Sequence, residues 1–357
     1  MKIRSRIKDY TLEMFPECLT RRGELLGRLK FDRYFYFVDR AFYETYKAQI
    51  DTFVGTDFCL QIVADERNKN YLRLADYYRA LIEKGITRND CLITFGGGIL
   101  QDISGFVAST LYRGLRWVFF PTTLLAQADS CIGSKTSINF DDGKNLIGSF
   151  YPPDAIFVDP SFCDTLSDSC FRSGLGEVIK FHLLSNPQQY DLLERYLASE
   201  SLRRSPLFPD IVQSTLEIKK SYFEEDEFDT GRRNLLNYGH CFGHALESAS
   251  NFSVAHGEAV IVGMGFANLL SQRRGVIPPK TYQEFESILA RYYPHFALNH
   301  IPVENLIRYL KKDKKRVGSQ LTMILVKGIG CSFKADDITE QEIINTYHHF
   351  LEIYPLS

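Results

Sequence analysis

Three of the chain's eight histidines fall between Arg232 and Glu258. The stretch reads Arg-Arg-Asn-Leu-Leu-Asn-Tyr-Gly-His-Cys-Phe-Gly-His from Arg232 to His244, and His256-Gly257-Glu258 follows a short gap. His240 and His244, four apart, share one face of a helix. With His256 a short loop away, they could hold a metal ion. Arg233 and Asn237 extend this stripe by one turn, while Leu235 and Leu236 supply the apolar side. Donors and candidate ligands along one helix fit an anionic substrate held near a cation. Upstream, Glu177 and Lys180 are three apart and flanked by Leu175, Val178, Ile179 and Phe181, which predicts a largely buried helix. A buried carboxylate wants a cation. Glu177, His240 and His256 would give three ligands and leave a fourth position open, as a catalytic zinc site does. The plainer alternative is a surface helix with solvated histidines and an i,i+3 salt bridge.

Other residues could bind phosphate. Gly96-Gly97-Gly98 follows the buried run Cys-Leu-Ile-Thr-Phe at 91–95 and precedes a helical pattern. Glycines there let the backbone approach a phosphate, and the helix N-terminus adds free N–H groups and a favourable dipole. The spacing departs from Gly-x-Gly-x-x-Gly. Pro121-Thr122-Thr123-Leu124-Leu125 leads to Asp129, Lys135, Lys144 and Asn145 among small residues (Ser130, Gly133, Ser134, Ser137, Gly143), which predicts a loop that closes on a charged ligand. Lys135, Lys144, Lys180, Lys219, Arg233 and Lys314 together suit a substrate carrying a phosphate and a carboxylate.

The elements that must position these groups are of two kinds. Strands are predicted at 34–38, 58–63, 91–95, 117–120 and 155–158, with helices at 71–82 and 99–112 between them, the alternation of a parallel sheet. Residues 159–169 read as a connection, and from Phe171 the pattern is helical until 321–326. This predicts an α/β chain of two domains, residues 1–165 and 166–357. The 357 residues have ordinary globular composition and a formal net charge of −2, which argues against a general nucleic-acid or membrane-surface role. No apolar run approaches the ~20 residues needed to span a bilayer, and the basic N-terminus lacks the apolar core of a signal peptide. The eight scattered cysteines fit reduced thiols in the cytoplasm.

Taken in order, several motifs resemble the 3-dehydroquinate synthases and related sugar phosphate cyclases. They are Gly96-Gly97-Gly98-x-x-x-Asp102, Pro121-Thr122-Thr123-Leu124-Leu125, Lys144-Asn145-x-Ile147-Gly148, Gly176-Glu177-Val178-Ile179-Lys180, Asn234 to His240 with Gly243-His244, and His256-Gly257-Glu258. The resemblance covers about residues 34 to 330. It implies a Rossmann-like NAD-binding domain followed by a helical domain carrying zinc, with cobalt as the alternative ion. Glu177, His240 and His256 then match metal ligands. His244 becomes a substrate-side group, against the i,i+4 reading, and falls in the catalytic set with Asp129, Lys135, Lys180, Lys219 and Asp229. Asn145, Arg233, Asn237 and Lys314 match substrate-binding positions. Arg113 matches an arginine that reaches into the neighbouring subunit's site, implying a homodimer. Asp39, Glu66, Lys69, the three glycines, Asp102, Thr122, Thr123, Lys144, Phe162 and Thr165 match NAD-binding positions.

The implied reaction is a phosphate-eliminating, carbon–oxygen lyase sequence of the shikimate pathway. A hydroxyl is oxidised by NAD with the metal as Lewis acid, phosphate leaves by β-elimination, the hydride returns, and an intramolecular aldol closes the ring to 3-dehydroquinate. The chain departs from the family's usual residues at Asp65, Gln101, Ser134, Gly176 and Asp229. These departures leave room for a cyclase acting on sedoheptulose 7-phosphate, glucose 6-phosphate or the amino-dehydroquinate precursor. Metal-dependent alcohol or glycerol dehydrogenases share the architecture but give net NADH and need fewer basic side chains.

Overall fold

The computed structural model describes residues 1–141, 143–311 and 321–354, so Lys314 lies outside the described residues. The chain forms two compact units, Met1–Leu166 with Phe208–Glu227, and Ser167–Leu207 with Phe228–Ser357. The sequence reading keeps Phe208–Glu227 in the second domain, whereas the structure groups it with the first unit. Helix Phe208–Glu225 is held there by N-terminal residues: Glu224 accepts from the Arg4 amide at 2.8 Å, and Phe223 meets the Tyr10 ring edge-on. Among the described residues, no helix is long and apolar enough to cross a membrane.

The first unit is built on a seven-stranded sheet in the spatial order Lys2–Ile3, Tyr10–Met14, Ala155–Val158, Arg116–Pro121, Cys91–Gly96, Tyr34–Asp39, Phe58–Ile62. Every pairing is parallel except the first. Strands covered on both faces need apolar residues at every position, which explains the unbroken runs Tyr-Phe-Tyr-Phe-Val and Cys-Leu-Ile-Thr-Phe. On one face Tyr36, Val38, Ile93, Phe95, Val118, Phe120 and Phe157 form a core with Phe42, Phe53 and Phe162. Phe95 stacks on Phe120 at 4.3 Å between ring centroids, and Phe53 meets Phe95 edge-on at 5.4 Å. Such pairs add about 0.5–1.5 kcal/mol each beyond area burial. Counted from Tyr34–Asp39, the five successive parallel strands lie in the order 2-1-3-4-5. The topological switch point therefore falls between Tyr34–Asp39 and Cys91–Gly96, at the carboxyl ends where such sheets bind ligands.

The small-residue segment predicted as a loop is instead a π-helical turn, Ala126–Ser130, and a β-hairpin, Lys135–Phe140 with Gly143–Phe150. The interior of the first hairpin strand tucks Thr136, Ile138 and Asn139 inward. A Cβ at Gly148 would meet the Thr136 carbonyl at 2.2 Å, so its glycine marks strand pairing rather than loop freedom.

The second unit is helical around His256–Arg273, buried from Gly257 through Ser271. Helices Asp168–Leu183, His240–Ala249 and Pro279–Leu289 pack on it, with Glu340–Ile353 and the hairpin Leu321–Gly328 with Cys331–Ile338. The sequence reading puts Arg233, Asn237, His240 and His244 on one helix, and the structure corrects this. Arg232–Asn237 is a short 3-10 segment, and Gly239 at φ 78° breaks the chain before His240 opens a new helix. A Cβ at Gly239 would meet the Val260 carbonyl at 2.6 Å, so both its conformation and its place against the central helix require glycine.

Candidate functional site

The second unit brings Glu177, His240, His244 and His256 together. Glu177 is fully buried on helix Asp168–Leu183, and its Oε1 lies 3.4 Å from Nε2 of both His240 and His256. Two donors on a tetrahedral ion with bonds of about 2.0–2.1 Å stand about 3.4 Å apart. The spacing thus matches the edge of a metal tetrahedron, and neither Glu177 oxygen makes a hydrogen bond among the described residues. Lys180 forms an ion pair with the other oxygen, Oε2, from one turn further along the same helix. Burial alone would raise the Glu177 carboxyl, but Lys180 and His240 hold it well below the usual carboxylate range.

Ring nitrogens of His240, His244 and His256 all lie within 4.8 Å of one another, so proximity alone does not choose among them. The far sides of the rings do. His240 Nδ1 lies 3.3 Å from the Tyr238 carbonyl, which can only accept, so Nδ1 carries the proton and Nε2 keeps its lone pair. His256 Nδ1 lies 3.2 Å from Glu247 Oε2, which sets the same tautomer. His244 is exposed, and its ring has no orienting acceptor among the described residues. Glu247 escaped the sequence reading, although it lies seven residues after His240 and so on the same helix face.

In the first unit, Asp39 ends the strand before the switch point and caps the next helix through the Ala41 amide. Gly96 ends the strand after it. A Cβ at Gly96 would meet Leu100 Cβ at 2.6 Å, and one at Gly97 would meet Thr123 Cγ2 at 3.0 Å. No side chain caps helix Gly98–Thr110 and its first turn holds no acid, which leaves its amides open to an anion. Thr122 is buried, and its amide donates to the Gly96 carbonyl. The Phe162 ring is core, 4.8 Å from Phe42, and Thr165 Oγ1 lies 3.3 Å from the Tyr46 hydroxyl.

A polar network joins residues assigned above to two different ligands. Lys69 Nζ donates to Asp102 Oδ2 at 3.1 Å and to Asn145 Oδ1 at 2.9 Å, and it lies 3.6 Å from Glu66. Asn145 stands in the left-handed region at φ 57°. Burial pushes the Asp102 carboxyl up to about 7 against the pull of Lys69. A carboxyl whose folded pKa is raised favours the protonated folded state. Its contribution to stability is full below about pH 4 and is lost as pH rises through about 7. Asp102→Asn is therefore expected to flatten stability over that window. Urea unfolding of both proteins at pH 5 and pH 8 checks it, and an unchanged difference between them would refute it.

Elsewhere in this unit Lys219 Nζ donates to Asp129 Oδ1 at 2.5 Å and also to the Asp129 carbonyl. Lys135 and Lys144 are exposed on the hairpin. Ser134, where the family favours glycine, sits at φ 58° and donates to the buried Glu227 at 3.2 Å, which offsets its strained backbone. Tyr112 and Arg113 are both left-handed, at φ 53° and 63°, and present an exposed arginine. In the second unit Asp229 is left-handed at φ 59°, Arg233 is buried, and Asn237 donates to the Asn234 carbonyl.

Comparison with known proteins accords with both halves. Residues 59–173 match the 3-dehydroquinate synthase N-terminal family model, and residues 174–316 match the C-terminal one. The 3-dehydroquinate synthase of Dictyoglomus thermophilum is 36% identical over 304 residues, covering 85% of this chain and 84% of that protein. That of Methylacidiphilum infernorum is 35% identical over 349 residues, covering 96% of each. The 2-epi-5-epi-valiolone synthase of Streptomyces hygroscopicus subsp. jinggangensis 5008, solved with NAD+ and Zn2+ bound, superposes with a TM-score of 0.85 at 25% identity, covering 98% of this chain and 99% of that one. Matches across both halves, at this identity and coverage, mean that the chain belongs to the 3-dehydroquinate synthase family.

Proposed function

We propose that the protein is a 3-dehydroquinate synthase-type sugar phosphate cyclase that uses NAD and a divalent metal ion, zinc first and cobalt as alternative, to convert a seven-carbon keto acid phosphate to 3-dehydroquinate. The observation that carries this reading is the buried Glu177 carboxylate, 3.4 Å from two imidazole nitrogens with fixed lone pairs. When bound, NAD supplies a reversible hydride acceptor and the metal a Lewis acid. Glu177, His240 and His256 would hold the ion, while Lys180 balances the carboxylate's charge. His244, exposed and unoriented, would face substrate and move a proton there. The open amides of Gly98–Thr110 would take the dinucleotide phosphates, with Asp39 at the ribose and Glu66, Lys69, Asp102, Thr122, Thr123, Lys144, Phe162 and Thr165 on the same cofactor. By the family resemblance, Lys135, Asn145, Lys219, Asp129, Asp229, Arg233, Asn237 and Lys314 would each act on the anionic substrate, as binding or proton-transfer groups.

The greater identity to 3-dehydroquinate synthases than to the valiolone synthase favours the keto acid phosphate. Incubation with NAD, zinc and each candidate sugar phosphate is expected to release phosphate from that substrate without net NADH. Release only from sedoheptulose 7-phosphate or another sugar phosphate would move the assignment to that cyclase, and net NADH would make it a dehydrogenase. A homodimer is part of the reading. Exposed Leu72, Phe140, Leu146 and Phe150 and the strained presentation of Arg113 support it. The absence of disulfides among the described cysteines supports a cytoplasmic setting.

Glu247 gives a sharper test of the metal set. Glu247→Ala removes the acceptor that fixes the His256 tautomer, and metal affinity is expected to fall about 10- to 100-fold. Glu247→Gln keeps an acceptor oxygen and should retain most of it. Competition with a zinc chelator measures both, and an alanine variant as tight as wild type would remove Glu247 from the metal's support.

A further inference from the structure

The structure gives the Gln101 amide two bonds to one residue, Ser130. Gln101 Nε2 donates to the Ser130 carbonyl at 2.7 Å, and Ser130 Oγ donates back to Gln101 Oε1 at 2.6 Å. Gln101 is buried at 8% exposure in the first turns of helix Gly98–Thr110. Ser130 ends the π-helical turn Ala126–Ser130. Its neighbour Asp129 is gripped from the other side by Lys219, through both carboxylate and carbonyl. Ser130 Oγ also lies 3.7 Å from where a Gly98 Cβ would stand, so the turn overhangs the open helix N-terminus. The adjacent Asp102 holds Lys69 and, through it, Asn145. Residues 101 and 102 thus reach two different polar clusters from one turn of helix.

A π-helical turn has poorer backbone hydrogen bonding than an α-helix and concentrates at functional sites. This one is braced by side chains: Gln127 Nε2 donates to the Pro121 and Asp159 carbonyls at 3.1 and 2.8 Å, and the Ala126 amide donates to Thr123 Oγ1. Only the Gln101–Ser130 pair, among the described contacts, connects its last residue to the glycine-opened helix. A methylene chain ending in a donor and an acceptor suits this place because Ser130 offers one of each. Glycine at 101 would leave both Ser130 groups to other partners.

We propose that Gln101, paired with Ser130, is a positioning residue that fixes Asp129 and its partner Lys219 relative to the helix N-terminus assigned to the cofactor phosphates. The inference rests on the proposed roles of Asp129 and Lys219, and it concerns a side chain argued to act through Ser130. Through the pair, the substrate-side carboxylate and ammonium are set by the same helix turn that sets the phosphate cradle.

The test compares wild type with Gln101→Met, Ser130→Ala and the double variant, each as full chain with NAD and zinc. Hydrogen exchange of amides 126–131 is expected to quicken about 10-fold in either single variant, with exchange in the central strands unchanged. KM for the sugar phosphate is expected to rise about 10-fold while NAD affinity stays within about twofold, a split that general loosening of the fold would not give. The double variant should be no worse than either single one, because both remove the same pair. Gln101→Glu, which can accept from Ser130 Oγ but cannot donate to its carbonyl while ionised, should fall between. Unchanged exchange in both single variants would overturn the clamp. Faster exchange with wild-type KM would overturn the positioning role. Inactivity of the wild type on every sugar phosphate would instead refute the functional reading, and exchange would still decide the clamp.

Discussion

His240→Ala is expected to lose its metal ion and its turnover together, whereas His244→Ala is expected to keep one ion per chain and lose turnover alone. The two side chains are one helical turn apart with rings 5.3 Å between centroids, so any effect of helix distortion should be similar for both. What separates them is orientation. His240 Nε2 faces Glu177 Oε1 while its Nδ1–H is committed to the Tyr238 carbonyl, and no such commitment is recorded for His244. With Glu177, His240 and His256 as the proposed ligands of an open tetrahedral site, removing one would leave two, too few to hold the ion. Turnover is expected to fall at least about 1,000-fold, the loss of roughly 4 kcal/mol of Lewis-acid stabilisation. For His244→Ala, loss of the proposed proton-transfer group predicts a fall of about 100-fold. Elemental analysis of the dialysed variants, alongside phosphate release, reads both. If the two lose zinc equally, the division of roles is wrong and all three histidines belong to the ion.

How much of this could be read from residue order alone depends on how local the determining physics is. Strands buried on both faces must be apolar throughout, so 34–38, 91–95 and 155–158 were legible to within a residue or two of the observed elements. The hairpin at 135–150 was not. Its second strand is exposed at Lys144, Asn145, Leu146, Gly148 and Phe150, and its small polar residues look like loop. The histidine stripe failed for a similar reason. Spacing places Arg233 and Asn237 on the helix of His240, but a single left-handed Gly239, demanded by a carbonyl on the central helix, ends one segment and starts another. Glu177 and His256 were paired from residue types alone, a buried carboxylate and an imidazole, although 79 positions separate them and only the fold brings them within 3.4 Å. Glu247 and Ser130 were missed because each acts on a neighbour's orientation, which no spacing records.

Gly257→Ala is the substitution expected to do most damage for the fewest atoms. A Cβ at Gly257 would stand 1.8 Å from the Ser173 carbonyl oxygen and 2.5 Å from its carbon, both main chain. Gly176 makes the reciprocal approach, its Cβ position 2.3 Å from the Gly257 carbonyl oxygen, which accounts for glycine at 176. Helices Asp168–Leu183 and His256–Arg273 therefore touch backbone to backbone, with Glu177 beside one contact and His256 beside the other. A methyl group cannot rotate away, so the helices must part by about 1.5 Å or more to restore normal contact, an overpacking cost of about 3 kcal/mol or more. Any such parting would be of the order of the donor spacing itself, opening the 3.4 Å separation between Glu177 Oε1 and His256 Nε2 beyond what one ion spans. The variant is expected to melt at lower temperature and to bind zinc at least about 100-fold more weakly by chelator competition. Gly27→Ala, in helix Arg22–Leu29 with nothing within 4 Å of its Cβ position, supplies the contrast. There alanine should leave metal binding unchanged and add about 0.5–1 kcal/mol of stability. Wild-type zinc affinity in folded Gly257→Ala would mean that the close helix approach does not set the donor spacing, and that Glu177 and His256 are held in place from elsewhere.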